Sequence, residues 1–293
     1  NFNSKRADRL GCEVRDEGYQ SFIKECRGLS DISMNMNVLC KTNMTFIDLF
    51  AGAGGLSKGL EMAGFEGVGA VEYNLKASET YKHNFNHDCI TGDIQKDETI
   101  DALLVAAKRN LGGRELDVLA GGFPCQGFSN SGKRIVEDQR NSLYQYVVKV
   151  ANLLHPKYII GENVPGLFTM RYKNGKKVAD QIVEDFVAIG YQMEYRILHS
   201  EDYGVAQRRE RLIFIGTRMD NPILFPQPFF MEGTYRTVED AISDLMQKPE
   251  DKAFNHTFVM SKVETFKKFS KMKEGDRISQ KRHDSCGRLY LNQ

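Results

Sequence analysis

Three short stretches carry residue types able to do covalent chemistry. Gly121-Gly122-Phe123-Pro124-Cys125-Gln126-Gly127-Phe128-Ser129 sets one cysteine in a loop with glycines on both sides. Pro124 fixes the direction of approach, and the glycines let the backbone come close to a substrate. A thiol at a strand-to-loop junction near a helix start can lose its proton readily and become a nucleophile. The rival reading is a buried structural cysteine, which a glycine-rich loop seldom provides. Gly161-Glu162-Asn163-Val164-Pro165-Gly166-Leu167 closes a strand and sets a carboxyl group at the same sheet edge as Cys125. A carboxyl beside a nucleophilic thiol suits a reaction in which the substrate is protonated while it is attacked. A helix-capping or ion-paired glutamate is the plainer alternative. Gln207-Arg208-Arg209-Glu210-Arg211 holds three arginines in four positions. Such a run is usually a solvated face, but its position just before a strand favours contact with an anion or a carbonyl.

A fourth stretch points to a bound small molecule. Phe50-Ala51-Gly52-Ala53-Gly54-Gly55-Leu56 follows one strand and opens a helix, so its glycines permit a sharp turn while helix N–H groups face outward toward an anion. Glu72 lies at the end of the next strand, twenty positions after Gly52, where a carboxylate can accept ribose hydroxyls. Asp93, in Thr91-Gly92-Asp93-Ile94, follows the third strand and suits an adenine amino group. The glycine run alone is a weak signal, because Ser57 stands where a dinucleotide fingerprint needs a third glycine or alanine. With Glu72 and Asp93 at successive strand ends, an adenosine-containing cofactor is the better reading. A nicotinamide oxidoreductase is the rival, without a pyrophosphate-type loop to support it.

The elements that must position these residues follow from hydrophobic periodicity. Strands are expected at Thr45–Phe50, Val68–Glu72, Cys89–Thr91, Leu116–Ala120, Tyr158–Gly161, Tyr191–His199 and Leu212–Thr217. Helices are expected near Leu56–Ala63, Leu75–Asn84, Thr99–Asn110, Ser142–Leu154 and Val178–Ile189. Strands alternating with helices of this length imply right-handed crossovers and a largely parallel sheet. Ligands bind such sheets at the carboxyl ends of the strands, which is where the chemistry-bearing residues fall.

Taken together, FAGAGGL, PCQGFS, ENVPGL and YGVAQRRER resemble the ordered motifs of the DNA cytosine-5 methyltransferases, of prokaryotic restriction-modification or prophage type. The resemblance covers Thr45 to Arg218. It implies an α/β, Rossmann-like fold dependent on S-adenosylmethionine (AdoMet), with a partial, smaller target-recognition lobe. Cys125 would add to cytosine C6, Glu162 would contact N3 and the exocyclic amine, and Arg211, supported by Arg209, would contact O2. C5 would then take the AdoMet methyl group, leaving S-adenosylhomocysteine (AdoHcy), and the base would have to leave the duplex for this to happen. Phe50, Ala51, Gly52, Gly54, Gly55 and Leu56 would hold the cofactor, with Glu72 and Tyr73 on its ribose side, Asp93 and Ile94 at the adenine, and Pro124 lining the pocket. The polar stretch Ser129–Asn141 resembles a mobile loop that closes over DNA. Gln126, Ser129, Lys133, Arg134, Arg140 and Arg208 are the expected DNA contacts, several of them neutralising phosphates. Methylation of cytosine in RNA, and a non-catalytic DNA-binding relative, are the alternatives.

Composition bounds these expectations. A formal net charge of +1 neither announces nor excludes nucleic acid, so the local distribution of charge decides. The six cysteines are scattered with no Cys-x-x-Cys pair, so neither a metal site nor a redox pair is expected. The absence of a long apolar run argues for a cytoplasmic enzyme, nucleoid-associated in use, with no membrane partner. Residues 1–44 read as an N-terminal extension, 45–220 as the catalytic domain and 221–293 as the start of an apparently incomplete target-recognition region. Residues 251–293 hold ten Lys or Arg and five Asp or Glu, with Arg282, His283 and Arg288 among them, and suit either phosphate contact or a solvated surface. The family's terminal motifs are not found in these residues. The expected partner is therefore double-stranded DNA, with either a second subunit supplying the missing motifs or, otherwise, a monomer.

Overall fold

The computed structural model describes residues 42–124, 143–252, 257 and 262–271. The chain divides into two compact units between Thr237 and Val238. The first is built on a seven-stranded sheet flanked by helices. In chain order its main elements are β1 (Thr45–Leu49), α1 (Gly55–Met62), β2 (Glu66–Glu72), α2 (Leu75–Asn84), β3 (Cys89–Thr91), α3 (Asp97–Leu111) and β4 (Val118–Gly121). They continue with α4 (Tyr144–Leu154), β5 (Tyr158–Asn163), the single turn α5 (Gly166–Thr169), α6 (Val178–Ala188), β6 (Gln192–His199) and β7 (Glu210–Thr217).

The strands lie in the order β3-β2-β1-β4-β5-β7-β6. Every pair from β3 to β5 is parallel, whereas β7 runs antiparallel to both β5 and β6. The reason is local: β6 and β7 are joined by a short 3-10 turn, Ser200–Tyr203, and a loop, with no crossover helix to return the chain to its starting edge. From β1 the chain winds outward through β2 to β3, then returns to the centre and winds the other way through β4 to β5. The order therefore reverses between β1 and β4, and a crevice opens there at the carboxyl ends of the strands.

The central strands are apolar because helices cover both faces. All five residues of β1 are buried, and Ile47, Leu49, Leu103, Leu119, Val150, Leu167 and Ile182 belong to one large core cluster with no more than 1% exposure. Helix α3 follows amphipathic periodicity, burying Ile100, Leu103, Ala107 and Leu111 while Asp97 and Glu98 occupy its first turn, where negative charge favours the helix dipole. The sheet's amino edge is tied by Asp117, which accepts from the Thr45 backbone N–H at 2.8 Å and from Lys157 Nζ at 2.7 Å. Strand β4 starts at Val118, two residues later than periodicity predicts, although the Leu116 and Asp117 carbonyls already accept from Lys157 and Tyr158 N–H. Residues 225–235 pack on the same unit: Phe225 is buried, and the Asp202 carbonyl accepts from the N–H groups of Phe229 and Phe230.

In the second unit the described residues form α7 (Val238–Ile242), a 3-10 turn at Ser243–Gln247 and α8 (Val263–Phe269). No helix among the described residues is long and apolar enough to cross a membrane. No cluster of three or more His, Cys, Asp or Glu side chains suited to a metal ion occurs among them.

Candidate functional site

The first half of the site grows from the turn after β1. Phe50 takes φ 59°, a left-handed conformation that costs a side-chain-bearing residue roughly 1–2 kcal/mol, and Gly52 and Gly54 follow at φ 58° and 97°. The turn is pinned by Ala51 N–H to the Val71 carbonyl at 3.0 Å and by Gly54 N–H to the Ala51 carbonyl at 2.9 Å. Glu72 completes the lock: one carboxylate oxygen accepts from Gly52 N–H at 2.8 Å and the other from Asn74 N–H at 2.6 Å. One side chain thus holds the glycine turn and the start of α2 together. Each oxygen retains acceptor capacity for a ligand hydroxyl.

Beneath the turn lies a buried polar chain. Asp48, 1% exposed, accepts from Ser57 Oγ at 2.6 Å; Ser57 Oγ meets Tyr81 Oη at 2.8 Å, which meets His87 Nε2 at 2.7 Å. Asp48 also takes the Ser57 backbone N–H, so it serves the first turn of α1, whose cap Gly54 offers no side chain. Burial pushes the Asp48 carboxyl up to about 6, against the Ser57 hydrogen bonds and with help from Glu72. Its Oδ1 has no hydrogen-bond partner among the described residues. Burial also lowers the His87 imidazole below its ordinary value.

A pocket of about 300 Å³ opens beside the turn, lined by Phe50, Val71, Tyr73, Gly92, Asp93, Ile94, Gln95, Pro124 and Leu143. This volume is at the lower end for small-molecule sites. Asp93 accepts from Gln95 N–H at 3.0 Å, an Asx turn that presents its carboxylate at the wall. Gly92 is required there, since a Cβ would lie 2.6 Å from Thr99 Oγ1. Tyr73 stands at the rim, 74% exposed. Of the expected cofactor residues, Phe50, Tyr73, Asp93, Ile94 and Pro124 line the pocket, whereas Ala51, Gly52, Gly54, Gly55, Leu56 and Glu72 form the turn and its anchor beside it. Apolar walls with one carboxylate suit an adenine ring and its amino group. The open space off Gly52 and Gly55, where a Cβ would meet nothing within 4 Å, leaves room for a ligand to approach the start of α1.

The second half of the site sits across the crevice. Gly121 of β4 and Gly161 of β5 are register partners, so Glu162 ends one residue beyond the level at which β4 gives way to the cysteine loop. The structure extends β5 through Glu162 and Asn163 and starts β7 at Glu210. Both Glu162 and Arg211 are thus strand residues, each one position beyond the strand limit that periodicity predicts. Asn163 pairs with Leu212, and this register brings Arg211 Nε to 2.5 Å from Glu162 Oε1. The other oxygen, Oε2, lies 3.4 Å from where a Cβ on Gly122 would stand, so that glycine lets the loop pass against the carboxylate. Burial raises the Glu162 carboxyl above its ordinary value, and the charge of Arg209 pulls it partly back. Arg208 and Arg209 are exposed; the backbone of Arg209 is fixed by Glu201 and Ser200.

Asn163 is a site residue to which sequence reasoning gave no role. It is 2% exposed, donates from Nδ2 to the Phe123 carbonyl at 3.2 Å and accepts from Val164 N–H at 2.8 Å. It therefore ties the end of β5 to the chain two residues before Cys125. Asp48, Val71, Gln95 and Leu143 were also missed. Cys125 itself, with Gln126, Ser129, Lys133, Arg134 and Arg140, lies outside the described residues, although Pro124 and Leu143 on either side of that segment both line the pocket.

A family model described as C-5 cytosine-specific DNA methylase matches residues 44–291. Type II methyltransferase M.DdeI of Desulfomicrobium norvegicum is 42% identical over 207 residues, covering 69% of this chain and 48% of the relative. Type II methyltransferase M1.HphI of Haemophilus parahaemolyticus is 37% identical over 240 residues, covering 80% and 62%. The chain thus spans about half to three fifths of the length of these relatives. Among solved structures, one from E. coli described as a prophage-encoded DNA modification methyltransferase superposes with a TM-score of 0.54 at 29% identity, covering 68% of this chain and 54% of that one.

Proposed function

Since the chain belongs to the C-5 cytosine-specific DNA methylase family, we propose that it transfers a methyl group from AdoMet to C5 of cytosine in a specific duplex DNA sequence. The observation that carries this reading is the Glu162 carboxyl, held by Arg211 at 2.5 Å and lying against Gly122, three residues before Cys125. The Cys125 thiolate adds to C6 of a cytosine turned out of the stack. Glu162 supports that addition by donating a hydrogen bond or proton at N3, which takes up the displaced electron pair and leaves an enamine whose C5 is nucleophilic. Its raised affinity for a proton, caused by burial, suits this task. Arg211 orients the carboxyl and presents its remaining N–H groups to O2, and Arg209 supports the same pocket. Bound at the glycine turn, AdoMet supplies the electrophilic methyl group. Loss of the C5 proton to solvent, elimination of the Cys125 thiolate from C6 and return of the N3 proton to Glu162 then restore aromaticity.

Tyr73, Asp93, Ile94 and Pro124 would hold the nucleoside end of AdoMet, with Glu72 on the ribose hydroxyls. Residues 221–293 form the start of the target-recognition region, and Gln126, Ser129, Lys133, Arg134, Arg140 and Arg208 meet DNA. The named relatives are type II methyltransferases, which supports a restriction-modification setting in a bacterial cytoplasm. The test uses duplex oligonucleotides and RNA containing 5-fluorocytosine, incubated with the chain and AdoMet. Since fluorine cannot leave C5 as a proton does, a stable adduct through Cys125 is expected on duplex DNA, and Cys125→Ser should form none while still binding AdoHcy. Trapping on RNA alone, or trapping retained by Cys125→Ser, would refute the proposal.

A further inference from the structure

We propose that the hairpin Arg171–Lys177 is a phosphate-contacting surface for the duplex flanking the target base, an inference that rests on the DNA-methylation reading above. The segment Arg171-Tyr172-Lys173-Asn174-Gly175-Lys176-Lys177 holds four cations in seven residues and no acid. It is a built turn. Arg171 and Lys177 face each other across a β-bridge, Tyr172 N–H donates to the Lys176 carbonyl at 2.9 Å, and Gly175 N–H donates to the Tyr172 carbonyl at 2.9 Å. The Asn174 side chain accepts from Lys176 N–H at 3.0 Å, and Arg171 Nη1 donates to the Gly175 carbonyl at 2.9 Å.

Its place in the fold is the second observation. The hairpin joins α5, which follows the carboxyl end of β5, to the first residue of α6, so it lies on the same edge of the sheet as Glu162. Lys177 Nζ stands 5.0 Å above the Phe168 ring, and Phe168 meets Tyr195 edge-on at 6.0 Å. Tyr195 pairs with Phe214, and Phe214 with Gly161, the residue before Glu162. The root of the hairpin is thus held at the level of the catalytic edge.

The charge balance is the third. Lys176 is neutralised by Glu184, whereas Arg171 and Lys177 have no carboxylate partner among the described residues. A protein of net charge +1 that leaves uncompensated cations on a rigid turn at its ligand edge is matched to a regular polyanion. Contacts of this kind fix register on the duplex without reading sequence.

The experiment measures affinity of the full chain, saturated with AdoHcy, for a fluorescent duplex between 50 and 200 mM salt. Removing one phosphate-neutralising cation should flatten the plot of log affinity against log salt by about one unit. Arg171→Gln and Lys177→Met are each expected to do so, with AdoHcy affinity and sequence preference unchanged. Glu184→Gln, which releases Lys176, should act oppositely, tightening binding and steepening the slope; a merely damaged hairpin cannot imitate that gain. Wild-type binding with a normal salt slope that none of the three substitutions alters overturns this inference and leaves the methylation reading standing. Failure of the wild type to bind duplex at any salt overturns both. Weakening seen on single-stranded RNA but not on duplex also overturns the assignment.

Discussion

At the scale of single residues, the proposed chemistry depends on how Glu162 is kept. Its carboxyl is half-buried against Gly122, paired with Arg211, and shifted toward the protonated form by burial. If Glu162 acts as the acid at N3, the alkaline side of the methyl-transfer pH profile should decline as pH rises through its raised pKa. Glu162→Gln should lower kcat by about 10²–10⁴-fold and remove that alkaline decline, read from pH profiles of single-turnover methylation; a mutant that keeps the decline would exclude Glu162 as its source. The sequence made Glu162 and Arg211 legible because their short motifs stand at strand ends. It did not reveal Asn163 or Asp48. Both sit in strands, where a polar residue looks like filler, and their meaning comes from partners far along the chain: Phe123 for Asn163, and the Ser57–Tyr81–His87 chain for Asp48. Cys89, the one cysteine among the described residues, shows the contrast with a reactive thiol: it is buried beside Ser78, and burial pushes its thiol up.

At the scale of elements, most of the architecture was written in hydrophobic periodicity. Helix α2 and strand β3 coincide with expectation, and the other boundaries move by only a few residues. What periodicity could not give was the direction of β7, because its insertion between β5 and β6 is a long-range pairing. The glycine turn illustrates how two neighbouring glycines can serve different ends. Gly54 has φ 97°, and a Cβ there would stand 2.2 Å from Phe85, a buried ring stacked on Tyr81 at 4.3 Å. Gly54→Ala should cost roughly 2–4 kcal/mol, combining left-handed strain with overpacking. Gly55 has open space where its Cβ would go. Gly55→Ala should leave the denaturation midpoint nearly unchanged yet weaken AdoHcy binding several-fold. Calorimetric titration and urea unfolding of the two variants separate these effects, and equal AdoHcy affinity for Gly55→Ala and wild type would argue against ligand approach at that point.

At the scale of the whole molecule, Asp48 ties global stability to pH. Its folded pKa of about 6 lies above its ordinary 3.8, so between those values the folded chain holds a proton that the unfolded chain has lost. The stabilisation is complete below the unfolded value and is lost as pH rises through the folded one. The resulting penalty at neutral pH is on the order of 3 kcal/mol at most. Asp48→Asn stays neutral and can still accept from Ser57 Oγ. Its stability relative to wild type should therefore be greater at pH 8 than at pH 4.5, measured by chemical denaturation at both. An equal difference at the two pH values would mean that Asp48 is not the titrating group. The same residue that completes the start of α1 thus contributes more to folding on the acidic side of neutrality.

The antiparallel β7 separates the register of Glu162 and Arg211 from the path of the chain that joins β6 to β7. The acid leaves the sheet at the end of β5, while its arginine enters at the beginning of β7, so the two chain segments reach the site from opposite directions. Their register is fixed by six ladder pairs from Tyr158–Thr217 to Asn163–Leu212, none of which involves the connection 200–209. A change in the length of that connection would therefore not slide Arg211 along Glu162, although it would shift Arg209. The ladder alone thus sets the register of the pair, and the connection is left the separate task of placing Arg209 beside it through Ser200 and Glu201.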